Sequence, residues 1–247
     1  MALAACAVAD HLERDLRALG TPERAEGEKR YLKSDLDFLG VSVWGIRKVM
    51  KAFAEQHRDL PRDDVVALIE ALWAKPVFER RMMAAMLLEE YVAVLEPSDL
   101  ELIERLIRES KTWALVDVLS GDVVGEIILR NPKFAARLDA WAKDDDFWVR
   151  RSALLAQLLP LKDGASFRRF ASYADAMLDE KEFFIRKAIG WVLRETAKRR
   201  PDEVYEWLAP RAHRSSGVTI REAVKYLDDV RKNALMSAYK ERRTAAS

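Results

Sequence analysis

Trp113 and Asp117 stand four residues apart in Ser110-Lys-Thr-Trp-Ala-Leu-Val-Asp-Val-Leu-Ser120. On a helix that spacing puts both side chains on one face, one above the other. An indole beside a lone carboxylate is a poor filling for a core, because a buried charge without a partner is costly. The same pair suits an apolar group on which positive charge develops: the ring offers a negative π-face and the acid a fixed negative charge. Arg151, inside Phe147-Trp-Val-Arg-Arg-Ser-Ala153, and Trp191, inside Phe183-Phe-Ile-Arg-Lys-Ala-Ile-Gly-Trp191, follow at regular distances. Taken singly, each Trp also reads as packing. The other five, Trp44, Trp73, Trp141, Trp148 and Trp207, are assigned to packing.

What must position these groups is a chain of helices. Strand signals are nearly absent, and apolar residues recur at helical spacing between breaks at Pro61, Pro76, Pro97, Pro132, Pro160, Pro201 and Pro210. A short motif repeats: Gly45-Ile-Arg-Lys-Val-Met50, Phe78-Glu-Arg-Arg-Met-Met83, Trp148-Val-Arg-Arg-Ser-Ala153, Phe184-Ile-Arg-Lys-Ala-Ile189 and Thr219-Ile-Arg-Glu-Ala-Val224. Most intervals are roughly 35 residues, and the one long interval leaves room for a unit at Thr112-Trp-Ala-Leu-Val-Asp117. A period of this size built of two helices predicts an all-α fold, an α-solenoid superhelix of HEAT-like repeats over 1–247 as a single domain, with helices in about 1–40 as a cap. Stacked units would line up Arg47, Arg80, Arg150, Arg186 and Arg221 as a basic stripe, with Lys187 beside Arg186. The plainer alternative is that these are solvated arginines at helix starts, paired with nearby acids. The unit at 112 replaces the basic pair by Ala114 and Leu115 and puts Asp117 where the others carry apolar or small residues. Asp117 is then either a buried acid bonded to a helix end or a neighbouring Arg, or a carboxylate placed in a groove for chemistry.

Composition narrows the classes. Half of the 247 residues are hydrophobic, a third are charged, and the net charge is +1, so any nucleic-acid signal must lie in how charges are arranged. One Cys and three scattered His exclude a disulfide framework and give no zinc spacing. No stretch is long and apolar enough for a membrane span, and the N-terminal run reads as a first helix and not as a signal peptide. The expected address is the cytoplasm, with no cofactor, no metal and a monomeric state.

The residues also carry a resemblance. Tyr31-Leu-Lys with Phe38-Leu-Gly40, Trp113-x-x-x-Asp117, Phe147-Trp-x-x-Arg151, Lys181-Glu-Phe-Phe-Ile-Arg-Lys-Ala-Ile-Gly-Trp-Val-Leu-Arg194 and Arg221-Glu-Ala-Val-Lys225 resemble the AlkD-type HEAT-like-repeat alkylpurine DNA glycosylases of bacteria. The resemblance implies a superhelix whose concave face cradles duplex DNA, and hydrolysis of the N-glycosidic bond of cationic N3- or N7-alkylated purines. It implies Asp117 as the catalytic carboxylate, Trp113 and Trp191 flanking the deoxyribose, Arg151 holding the backbone near the lesion, and Tyr31 on the DNA-facing surface. The chain departs from the pattern at Val41-Ser-Val-Trp44, where relatives often place a polar amide and a Pro, and at Thr112, where an extra Trp is common. The implied partner is double-stranded alkylated DNA, met at the nucleoid. The alternative is a non-catalytic HEAT-repeat scaffold binding DNA or protein, since a solenoid fold does not fix function.

Overall fold

The computed structural model describes residues 3–245, and among them every regular element is helical. An isolated parallel bridge between Asp37 and Val77 is the extended pairing described. By its contacts the chain groups into two compact units, divided between Ile127 and Ile128.

The first unit carries α1 (Ala5–Arg17), α2 (Pro22–Leu32), α3 (Val43–Gln56), α4 (Arg62–Trp73), α5 (Phe78–Glu90), α6 (Leu100–Ser110) and α7 (Trp113–Asp117). A π-helical turn, Val118–Val124, continues α7 into α8 (Gly125–Arg130). Helix α5 is the centre of this unit. It is buried nearly all round from Phe78 to Leu88 and packs against α3, α4, α7 and the π-helical turn. The repeated motifs open α3 and α5, and the divergent unit opens α7, so helices of like register follow one another in the packing.

The second unit carries α9 (Ala136–Trp141), α10 (Phe147–Leu155), α11 (Leu158–Lys162), α12 (Arg168–Met177), α13 (Phe183–Ala197), α14 (Pro201–Leu208), α15 (Gly217–Ala223) and α16 (Asp229–Ala245). Its motif helices also pack in sequence, α10 on α13 and α13 on α15. Gly190 permits the second contact. A Cβ there would lie 2.8 Å from the Glu222 Cβ and 3.0 Å from the Thr219 carbonyl. Helical repeats of this kind are the architecture expected from the period.

Three expectations need correction. Pro160 does not break a helix. It is the third residue of α11, where its missing N–H belongs to the first turn and has no intrahelical acceptor to lose. Trp44 does not pack: it is 82% exposed. Ile46, Met50, Phe53 and Ala54 form the buried face of α3, and Trp44 is about 200° around the helix from Ile46. Arg80 is not on a surface stripe, being only 2% exposed. It lies on the all-round buried helix α5, where its guanidinium donates to the Glu13 carboxylate (2.6 Å) and to the carbonyls of Leu72 (3.1 Å) and Ala71 (2.6 Å). The remaining packing tryptophans, Trp73, Trp141, Trp148 and Trp207, are buried as expected.

Glu79, the neighbour of Arg80, is fully buried, and its carboxylate accepts from the backbone N–H groups of Leu39 (2.9 Å), Gly40 (2.7 Å) and Val41 (3.1 Å). One side chain on α5 thereby fixes the whole approach to α3. Gly40 completes the turn with φ of +78°, and a Cβ there would lie 2.0 Å from the Thr21 carbonyl oxygen. Glu79→Ala leaves three N–H groups without their acceptor, two of them in buried hydrogen bonds. The expected cost is about 3 kcal/mol or more, read as a lowered midpoint in urea unfolding. Wild-type stability in that variant would show that the clamp is dispensable.

Candidate functional site

Trp113 and Asp117 are the first and last residues of α7, both half-buried, so the five-residue helix presents indole and carboxylate on one face as the spacing requires. Thr112 precedes the helix in extended conformation, and the chain enters it from Lys111 in the left-handed region, φ 49°. Tyr31, from α2, is 72% exposed and meets Trp113 edge to face, with ring centroids 5.9 Å apart at 85°. That geometry sets the positive edge of one ring against the negative face of the other. The two aromatics named from sequence on this unit are therefore neighbours, with the acid one helical turn on.

The π-helical turn brings in a residue that the sequence reading missed. In an α-helix, Asp122 would be turned about 140° away from Asp117. Over Val118–Val124 the turn closes by i→i+5 bonding, which returns the fifth residue toward the first. The two carboxylates consequently feel one another. Asp122 has solvent contact, yet its carboxyl is pushed up to about 6, first by desolvation and then by the Glu89 carboxylate. Asp117 adds to the rise and the Arg47 guanidinium opposes it. Arg47 itself stands 3.9 Å from Glu89. The region thus holds an aromatic pair and three acids, two of which, Glu89 and Asp122, face Arg47. Only an i+5 pairing in the Asp117-to-Asp122 stretch could have signalled this, and an α-helical reading of the stretch excludes it.

The shift has a sign for stability. Between the ordinary aspartate value of 3.8 and about 6, the folded chain keeps a proton that the unfolded chain has released. Stability therefore falls as pH rises through that window and stays lower above it. Asp122→Asn is expected to raise the thermal midpoint at neutral pH, with the gain shrinking to nothing below about pH 4. A gain that is the same at both pH values would place its origin elsewhere.

In the second unit, Arg151 on α10 is 2% exposed. Its Nη1 donates to the Phe184 carbonyl, and its guanidinium lies over the Phe184 ring, 5.8 Å from the centroid. Trp191, on α13, is half-buried and lines a hollow of about 520 Å³ with Leu158, Leu161, Lys162 and Arg194. Arg151 thus binds the first turn of the helix on which Trp191 stands two turns later.

The basic residues have particular partners. Arg150 makes a two-pronged pair with Glu180, at 3.1 and 2.8 Å, and donates to the carbonyls of Asp144 and Asp145. Arg186 donates to the Glu180 carbonyl (2.6 Å). Lys187 pairs with Glu222 (2.7 Å), which also takes Arg194 (2.5 Å) and Lys225 (2.9 Å). Desolvation works to raise the Glu222 carboxyl, but hydrogen bonds from Lys187 and Lys225 and the Arg194 charge outweigh it and hold the group at about 2. Arg221 is exposed on α15. Among the described residues no three His, Cys, Asp or Glu side chains are grouped as a metal ion would need, and no helix is long and apolar enough to cross a membrane.

Comparison with known proteins adds to this geometry. The family model described as "DNA alkylation repair enzyme" matches residues 12–227. A comparison with curated proteins gives no match. Among solved structures the chain is similar to a "Predicted DNA alkylation repair enzyme from Enterococcus faecalis", with a TM-score of 0.74 and 26% identity, covering 85% of this chain and 97% of that one.

Proposed function

We propose that this chain, which belongs to the DNA alkylation repair enzyme family, hydrolyses the N-glycosidic bond of cationic N3- or N7-alkylated purines in duplex DNA. The observation that carries this reading is the single face of α7, where the half-buried Asp117 stands one turn from Trp113 and Trp113 meets the exposed Tyr31. An alkylated purine with a positive ring is already a good leaving group, so no acid is needed to protonate it. The C1′–N bond breaks with its electron pair going to the base, which leaves neutral. A water oxygen then bonds to C1′, and its proton passes to the Asp117 carboxylate. Before that transfer the same charge stabilises the cationic sugar. The balance closes with water alone.

Trp113 and Trp191 would offer indole faces to sugar C–H groups that become more positive in the transition state. Tyr31, Arg47, Arg150, Arg186, Lys187 and Arg221 are the proposed DNA-contacting set. Arg151 is buried, so its proposed part is to hold Phe184 and with it α13, which carries Trp191. Acting on the sugar side needs no deep pocket for an extruded base, in contrast to most enzymes that work on bases in duplexes. Large adducts are then tolerated, and neutral lesions are not.

The test is release of 7-methylguanine and 3-methyladenine from methylated duplex DNA by wild type and by Asp117→Asn. Release by wild type alone supports the reading. Tight duplex binding without release would make the protein a non-cutting DNA binder, and neither release nor binding would make it a scaffold. Efficient excision of uracil, a neutral base, would also overturn the proposal.

A further inference from the structure

Trp191 shares its face of α13 with two cations. Lys187 precedes it by four residues and Arg194 follows it by three, and at 100° per residue the three fall within about 60° of arc. Helical side chains lean toward the N-terminus, so Trp191 leans back toward Lys187, and Arg194 leans back toward Trp191. A lysine or arginine at such spacing can settle on an aromatic face. In this unit the Phe184 and Tyr226 rings do carry a cation, from Arg151 and Lys198. Among the described residues no cation lies over the Trp191 ring.

Glu222 is what draws the two cations away. It is buried on α15 and meets α13 at Gly190, midway between Lys187 and Arg194 in the chain. Its Oε1 accepts from Lys187 Nζ at 2.7 Å, and its Oε2 accepts from Arg194 Nη1 at 2.5 Å. Lys225 Nζ also donates to Oε1, at 2.9 Å, and Arg194 Nε turns to Glu195 at 3.0 Å. No other ion pair is described for Lys187. Held at about 2, the Glu222 carboxyl is ionised at every ordinary pH, so the tie is permanent in the folded chain.

We propose that Glu222 is a positioning residue that keeps the indole face of Trp191 open, by tying Lys187 and Arg194 back against α15. The inference rests on the proposed glycosylase reaction, in which that face meets a sugar becoming cationic. Glu222 acts there only through Trp191 and its two neighbours, and is not itself a contact to DNA. A cation settled on the ring would occupy the negative π-face and repel the charge that the ring is there to meet. Phosphates, in contrast, gain from a cation set free. Loss of the Glu222 charge therefore acts in opposite directions on the DNA backbone and on the cationic sugar. A general loosening of the helices would weaken both.

The experiment measures fluorescence anisotropy of two labelled duplexes, one with a neutral tetrahydrofuran abasic-site analogue and one with its cationic pyrrolidine counterpart. Single-turnover release of 7-methylguanine is run in parallel, all below the lowest thermal midpoint of the variants. Wild type should prefer the pyrrolidine duplex. Glu222→Gln should bind the tetrahydrofuran duplex at least as tightly as wild type and lose roughly tenfold of that preference. Its release rate should fall about tenfold. Adding Lys187→Met should weaken binding to both duplexes alike and restore part of the preference, because a freed cation is then gone. Glu222→Asp keeps the charge and shortens the reach by one methylene, so it should fall between, and it carries the test where the glutamine variant does not fold. Equal losses on both duplexes, no recovery with Lys187→Met, or full wild-type preference in the Glu222 variants overturns the inference. Base release by wild type then leaves the glycosylase reading standing. A preference that depends on Glu222, with no base release, keeps the inference and rejects the glycosylase. A wild type without the preference rejects the inference, and without base release it rejects the glycosylase as well.

Discussion

Replacing Asp117 by Asn should lower the rate of 7-methylguanine release by about 10²-fold or more while duplex binding persists. The substitution keeps shape and one hydrogen-bonding oxygen and removes the charge. On the proposed mechanism the ground state loses little from that, because the proposed DNA contacts lie elsewhere. The proposed transition state loses the carboxylate assigned to stand beside the cationic sugar, and a preorganised electrostatic group of this kind is worth on the order of 10²–10³ in rate. The loss should accordingly fall on single-turnover release and not on the dissociation constant. A loss of less than a few-fold would mean that Asp117 is structural, and the reaction as written would fail with it. Trp113→Ala should lose less, since the indole offers a quadrupole and not a full charge.

The helices were legible because their signals are local. Phe78, Trp148, Phe184 and Thr219 begin motifs that stand at or within two residues of the starts of α5, α10, α13 and α15, and Trp113 begins α7. The Trp113–Asp117 face was legible for the same reason, since it needs only the period of an α-helix. What escaped depends on where each helix sits. Arg80 and Arg47 occupy the same motif position, yet α5 is enclosed and α3 is not, so one arginine is core and the other is half-exposed. Trp44 looks like core by type and is in water because its angular position on α3 is opposite Ile46. Asp122 escaped because the stretch after Asp117 is wound as a π-helix, which apolar periodicity does not reveal. Burial of charge, not helix identity, is where a single sequence stops being informative.

Arg80 carries the second large expectation: Arg80→Ala should destabilise the first unit by about 3–5 kcal/mol, read as a lowered urea midpoint. Its guanidinium is one of the largest fully buried groups described, and its acceptors come from two directions. Carbonyls at Ala71 and Leu72 close α4, and the Ala9 carbonyl with the Asp10 and Glu13 carboxylates on α1 completes the set. Removing the arginine leaves Glu13 with part of its compensation gone, and the carbonyls with no donor. Desolvation works to raise the Glu13 carboxyl, yet hydrogen bonds from Arg17, Lys75 and Arg80 outweigh it and hold it at about 2, below its usual 4.5. A depressed acid stabilises the fold above its unfolded value, and that contribution drains away as pH falls from about 4.5 toward 2. The deficit of Arg80→Ala should therefore narrow in acid, where wild type has lost part of the same interaction. Glu13→Gln in the Arg80→Ala background should cost less than Glu13→Gln alone, because the two groups share one interaction. Additive losses in that cycle, or a deficit that does not narrow with acid, would show that Arg80 stabilises by filling space and not by charge.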